Sequence, residues 1–223
     1  MNVALIMAGG SGKRMLVTEK KQFLPINGKP LIVHTLEKFC GHPEIDQVII
    51  VAPADDLTRM QFICEQYFPE EEIMLTAGGA ERQISVINGL KACPSSTKLV
   101  LIHDAVRPFV SNELISELIR LTKLHGAVIP CSPVRNTIKR ISGEQIKETV
   151  PRQDLYNAHT PQVFIYSLIY KYHEKALNVK HQFTDDSSIL EYFQQPVYFY
   201  LCDDSNFKIT QPYDLILAEY LIR

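Results

Sequence analysis

The sequence predicts an α/β protein: a mainly parallel sheet flanked by helices, with a projecting β-hairpin arm. Short runs rich in Val and Ile alternate with longer segments whose apolar residues recur at helical spacing. A polar pair of alternating runs around a small turn interrupts that rhythm. A glycine turn directly follows the first apolar run, where an open parallel sheet places its ligands.

The runs "VALIMA" (3–8), "QVIIVA" (47–52), "KLVLIHDA" (98–105) and "GAVIPC" (126–131) are too uniformly apolar for a half-exposed strand and predict strands buried on both faces. Between them, "PLIVHTLEKFC" (30–40), "DDLTRMQFICEQYF" (55–68), "ERQISVINGLKAC" (81–93) and "NELISELIRLTKLHG" (112–126) predict helices, with Pro30 and Asn112 as start signals. In 134–156 the runs "TIKRI" and "QIKET" flank "SGE", a hairpin too hydrophilic for the sheet interior. An arm packed against a second copy of the chain is its simplest use; an exposed edge hairpin is the alternative. "DDSSILEYF", "PVYFYLCD", "NFKIT" and "PYDLILAEYLIR" return to the main alternation and close on an amphipathic helix.

At 223 residues the chain fits one domain, 1–223, carrying the arm at about 134–156. A hydrophobic fraction of 46% with 22% charged residues argues against disorder. The net charge of −2 gives no basic field for nucleic acid, so an anion site has to be a local cluster suited to a small ligand. Five scattered cysteines, odd in number and without C-x-x-C spacing, suggest reduced, mostly buried thiols in a cytosolic protein. With no signal-like start and no apolar run near ~20 residues, a soluble cytoplasmic protein without a membrane partner is expected.

In "ALIMAGGSGKRM" the glycines let backbone N–H groups approach phosphate oxygens, and Lys13, Arg14 and then Lys21 add charge. The P-loop pattern fails, since Gly9 and Gly12 stand too close and Arg14 follows Lys13. The dinucleotide fingerprint fails at Met15. A tight turn flanked by surface cations is the bland alternative; three cations shift the reading toward a triphosphate.

"AGGSGKRM" followed by "KQFLPINGKP" resembles the signature of sugar-phosphate nucleotidyltransferases. "GGAERQISVINGL", "HDAVRPFV", "PVRNTIKR", "VPRQDLYNAHTPQVF", "FTDDSSILEYF" and "NFKIT" resemble, in order, the 2-C-methyl-D-erythritol 4-phosphate cytidylyltransferase family. The related ribitol-5-phosphate cytidylyltransferases, which make CDP-ribitol, are the alternative; "KQFLPINGKPLIVHTLEKF" suits them equally, and the "NTIKR" arm favours methylerythritol phosphate. The resemblance implies a Rossmann-like sheet, transfer of CMP from CTP to the sugar-alcohol phosphate, release of pyrophosphate, a divalent cation (Mg2+) and a homodimer joined through the arm.

By that resemblance Ala8, Gly9, Gly10 and Gly12 contact the nucleotide, while Arg14, Lys21 and Lys208 are the catalytic cations. Gly79, Arg82 and Ser85 form the base pocket, with Gly78 beside them. Asp104 takes the metal or nucleotide, and Ala105 is its nucleotide-binding neighbour. Thr137 and Arg152 bind the acceptor phosphate from the partner's side. Arg107 either binds substrate or pairs with Asp104 to hold the loop. The chain departs from the family at Lys20, where proline is usual, and at Ile84 and Asn136, where aspartate is common; Phe207 replaces an isoleucine. His103 reads as a structural histidine, and Asp185 and Asp186 read as helix N-caps rather than metal ligands. A nicotinamide-dependent dehydrogenase is disfavoured by Met15 and the loop cations. A non-catalytic nucleotide-binding module is disfavoured by the retention of Arg14, Lys21 and Lys208.

Overall fold

The computed structural model describes residues 1–10 and 19–222. The first apolar run forms β1 (Asn2–Met7), and its residues Val3 to Ile6 have no solvent exposure, as burial on both faces requires. A 3-10 turn (Lys21–Phe23) leads into two short strands, β2 (Pro25–Ile26) and β3 (Lys29–Pro30). Their connection uses positive φ at Asn27 and Gly28, the Asn-Gly signature of a tight hairpin. Helix α1 (Leu31–Cys40) follows with Pro30 at its N-cap.

The alternation continues through β4 (Gln47–Ala52), α2 (Leu57–Tyr67), β5 (Ile73–Ala77), α3 (Arg82–Ala92), β6 (Leu99–Asp104) and α4 (Asn112–His125). Asn112 is the first residue of α4 rather than its cap: Ser111 is the N-cap, and its hydroxyl accepts the Leu114 N–H at 3.1 Å. Strand β7 (Ala127–Pro133) ends the first half. The polar runs pair as β8 (Ile138–Ser142) and β9 (Gln145–Val150), an exposed two-stranded sheet of its own, with Gly143 at φ +60 in the turn.

After the hairpin come β10 (Tyr156–Ala158), β11 (Gln162–Ile165), α5 (Tyr166–Ala176), α6 (Ser187–Tyr192), β12 (Tyr198–Leu201) and α7 (Pro212–Leu221). The main sheet runs β10-β7-β11-β6-β1-β4-β5, with β12 also on β7. Strands β5, β4, β1 and β6 pair in parallel, and β12 pairs in parallel with β7. Antiparallel β11 is inserted between β6 and β7, so the sheet is mixed, though mostly parallel.

Two apolar clusters cover the faces of the sheet, and a third, around Ile26, Leu31, Val106, Ile209 and Ala218, seats α7. Helix α7 is less amphipathic than expected: Tyr213, Ile216 and Tyr220 face outward, and of its residues only Ala218 is buried. It packs beside β2, where the stripe around Ala218 docks it against Ile26 and Ile209. All five cysteines are free thiols, and burial pushes those of Cys40 and Cys93 up to about 12, which makes them inert. Among the described residues, no helix is long and apolar enough to cross a membrane.

Candidate active site

The carboxyl ends of β1, β5 and β6 open on one cavity of about 440 Å³. Ala8, Gly9 and Gly10 form one wall; Gly79, Arg82 and Ser85 form another; Lys21, Asp104, Ala105 and Lys208 form the third. Residues scattered from position 8 to position 208 thus meet at the sheet's ligand-binding edge. Gly12 and Arg14, expected beside them, lie outside the described residues.

The glycine wall is held from beneath. The Ala8 N–H donates to Val51 O at 2.8 Å, and the buried Gln22 side chain donates to Ala8 O at 3.0 Å. Gln22 lies inside the "KQFLPINGKP" signature, and its anchoring role shows only in the fold. Lys21 is itself buried, and its Nζ donates to Ile209 O at 3.3 Å. The 3-10 turn therefore delivers a cation and its anchor together.

The second wall is shaped by close approach. Ser85 Oγ accepts the Gly79 N–H at 3.0 Å and lies 3.0 Å from Glu81 O, so its hydroxyl folds the turn that forms the pocket. A Cβ on Gly79 would sit 2.6 Å from the Ile84 Cβ, closer than carbon atoms can pack. Arg82 stands on this wall with its guanidinium bidentate to Asp186, at 3.0 and 2.5 Å. Asp186 has no solvent exposure, and His173 Nε2 lies 3.3 Å from its Oδ1. Burial opposes ionisation of Asp186, yet the charge and hydrogen bonds of Arg82, with His173, hold its pKa at about 2. Asp186 is thus the anchor of Arg82, and its side chain makes no capping bond. The capping role expected of both aspartates belongs to Asp185, whose Oδ1 accepts the Ser188 N–H at 3.1 Å.

On the third wall Asp104 ends β6. Its Oδ2 meets Lys208 Nζ at 3.0 Å and Arg107 Nε at 3.2 Å. Burial would raise its pKa, but Lys208, Arg107 and Arg82 outweigh it and hold the carboxylate well below the ordinary range. Arg107 is buried behind this wall rather than lining the cavity, and donates to Asn206 O at 2.8 Å as well as to Asp104. His103 is fully buried; its Nε2 lies 3.0 Å from Arg107 O, and the Thr160 hydroxyl lies 3.1 Å from its Nδ1. Burial pushes its pKa down to about 4. It is the structural histidine expected. Thr137 and Arg152 do not line this cavity: both are exposed at the base of the hairpin, and Arg152 donates to Arg135 O.

A glycine edge, two lysines and a strand-end carboxylate around a nucleotide-sized cavity define a nucleotidyltransferase. The chain belongs to the 2-C-methyl-D-erythritol 4-phosphate cytidylyltransferase family, whose model (IspD) matches residues 2–223. It is 41% identical over 225 residues to the 2-C-methyl-D-erythritol 4-phosphate cytidylyltransferase of Clostridium botulinum (strain Okra / Type B1), covering 99% of this chain and 97% of the relative. The crystal structure of 4-diphosphocytidyl-2C-methyl-D-erythritol synthase from Anaerococcus prevotii DSM 20548 superposes with a TM-score of 0.86 at 36% identity, covering 100% of this chain and 96% of that one. The 2-C-methyl-D-erythritol 4-phosphate cytidylyltransferase of Thermus thermophilus superposes with a TM-score of 0.79 at 30% identity, covering 100% of each chain. These likenesses do not favour ribitol phosphate.

Proposed function

We propose that the chain, as one nucleotidyltransferase domain, transfers CMP from CTP to 2-C-methyl-D-erythritol 4-phosphate, a step in isoprenoid precursor biosynthesis, in the cytoplasm. The observation that carries this reading is the convergence of Lys21, Lys208 and the Ala8–Gly10 backbone on one cavity. An oxygen of the acceptor phosphate attacks the α-phosphorus of CTP, the α–β bridging P–O bond breaks, and pyrophosphate leaves with the electron pair. A phosphate monoester with a second pKa near ~6 is already largely ionised at neutral pH, so no general base is required. The work is electrostatic: Lys21 and Lys208 neutralise charge on the α-phosphate and the leaving group, and backbone N–H groups orient them. Arg14 is assigned the same role by family resemblance.

A divalent cation fits this site in one specific manner. No cluster of three or more His, Cys, Asp or Glu encloses an ion among the described residues. Mg2+ is commonly held by one or two carboxylates together with substrate phosphates, and Asp104 offers such a carboxylate on the cavity wall. When bound, Mg2+ would offset triphosphate charge.

The acceptor phosphate needs cations opposite the leaving group, and Thr137 and Arg152 are assigned to it in the active site of a second copy. The exposure of Ile141 (63%) and Ile146 (64%) on the hairpin supports an arm that packs against a partner. Pyrophosphate release with CTP and either methylerythritol phosphate or ribitol 5-phosphate tests the substrate; turnover only with the latter would overturn the assignment. Mixing Lys21→Ala with Arg152→Ala subunits tests the arm: each alone should be strongly impaired, and one intact site in the mixed dimer should restore activity.

A further inference from the structure

The segment that delivers Lys21 is gripped from both sides by the start of α2. Lys20 Nζ lies 2.7 Å from both carboxylate oxygens of Asp56. Glu19 accepts three hydrogen bonds from the Arg59 guanidinium, at 3.0 to 3.2 Å. The same guanidinium lies 3.9 Å over the Phe23 ring. Asp56 and Arg59 thus hold the residues on either side of Lys21 and Gln22.

Asp56 stands at the N-cap of α2, where an aspartate ordinarily accepts a helix N–H, yet its side chain makes no such bond. It is 8% exposed, and its carboxylate is committed to Lys20. Lys20 adopts φ −69 and ψ 136, so the linker is extended here and no helical geometry of its own stiffens it. We infer that Asp56 and Arg59 are positioning residues, an ionic clasp that fixes where Lys21 meets the phosphates of the nucleotide. The inference rests on the proposed role of Lys21.

Lys20 and Arg59 leave both pairs open to solvent. Pairs screened by water on the cation side add little to folding, so the clasp contributes little to stability. Misplacement of a catalytic group by about 1 Å costs on the order of 100-fold in rate. Losing the clasp should therefore lower activity while leaving the melting temperature nearly unchanged. Proline, whose φ is fixed at about −65°, matches the φ of Lys20 and would stiffen the linker at the loss of the Lys20 N–H bond to Glu19 Oε1 at 3.0 Å.

The experiment compares wild type, Asp56→Asn/Arg59→Gln, and that double variant with Lys20→Pro added. It measures pyrophosphate release, the calorimetric Kd for inorganic triphosphate, and Tm. The double variant should lose roughly 10- to 100-fold in kcat and bind triphosphate several-fold more weakly, with Tm within about 4 °C of wild type. Lys20→Pro should restore kcat to within about 3-fold. Unchanged kcat and triphosphate affinity would overturn the clasp, as would a loss that follows Tm and that Lys20→Pro does not repair. An inactive wild type whose triphosphate binding still depends on Asp56 and Arg59 would sink the proposed reaction and leave the clasp standing.

Discussion

Replacing Asp186 with asparagine removes a charge that has no contact with water and that anchors Arg82 on the cavity wall. Breaking a fully buried ion pair costs about 3–5 kcal/mol. The Arg82 side chain is 35% exposed, so water compensates part of the loss and the cost falls toward the lower end or below it. The Asp186 pKa drops from 3.8 to about 2, and at about 1.4 kcal/mol per unit the folded state gains roughly 2 kcal/mol from this group near neutral pH. Because the folded pKa is the depressed one, that stability is present above 3.8 and is lost as pH falls through about 2. A cost of about 2–3 kcal/mol in a chain of 223 residues lowers Tm by roughly 4–12 °C. Thermal unfolding followed by circular dichroism at pH 7 measures it directly, and the KM for CTP should rise as Arg82 loses its hold. A Tm within about 2 °C of wild type would refute the claim that Asp186 is held ionised by Arg82.

Under the proposed reaction, Lys21→Ala and Lys208→Ala should each lower kcat roughly 100- to 1000-fold with a smaller change in the KM for CTP, since each would remove a preorganised donor to developing charge; steady-state pyrophosphate release reads both. His103, pushed from 6.5 down to about 4 by burial, binds a proton more readily in the unfolded chain. Its contribution to stability is therefore full above 6.5 and falls away toward pH 4, by up to about 3 kcal/mol; His103→Asn should flatten that part of a denaturant-derived stability profile. Gly79→Ala forces a Cβ into Ile84, so the turn has to shift and the KM for CTP, read from steady-state pyrophosphate release, should rise by about 10-fold or more.

The strand 47–52 was legible to the residue because every position after Gln47 is buried and β-branched or small. The hairpin was legible because alternating polar residues around "SGE" cannot lie inside a sheet. Strand β5 carries little signal: it is five residues long, half-covered, and has Met74 facing solvent. Antiparallel β11 was also hidden, since the short run after Pro161 shows no periodicity of its own. At the site, the glycine wall and Lys208 followed from the order of motifs. The pairing of Arg82 with Asp186 did not, because 104 positions separate them and the packing of α6 on α5, and of α5 on α3, brings the carboxylate to the guanidinium. A local rule assigned Asp186 to a cap; the Arg82 guanidinium won it instead.

The central claim is that this glycine-edged cavity seats the triphosphate of CTP among the cations that drive transfer. A crystal structure of the chain with CTP is the direct measurement. The triphosphate should lie within hydrogen-bonding reach of the Gly9 and Gly10 amides and of Lys21 and Lys208, with the base against Gly79 and Ser85. Nucleotide bound away from these residues, or with its phosphates turned from both lysines, would contradict the account.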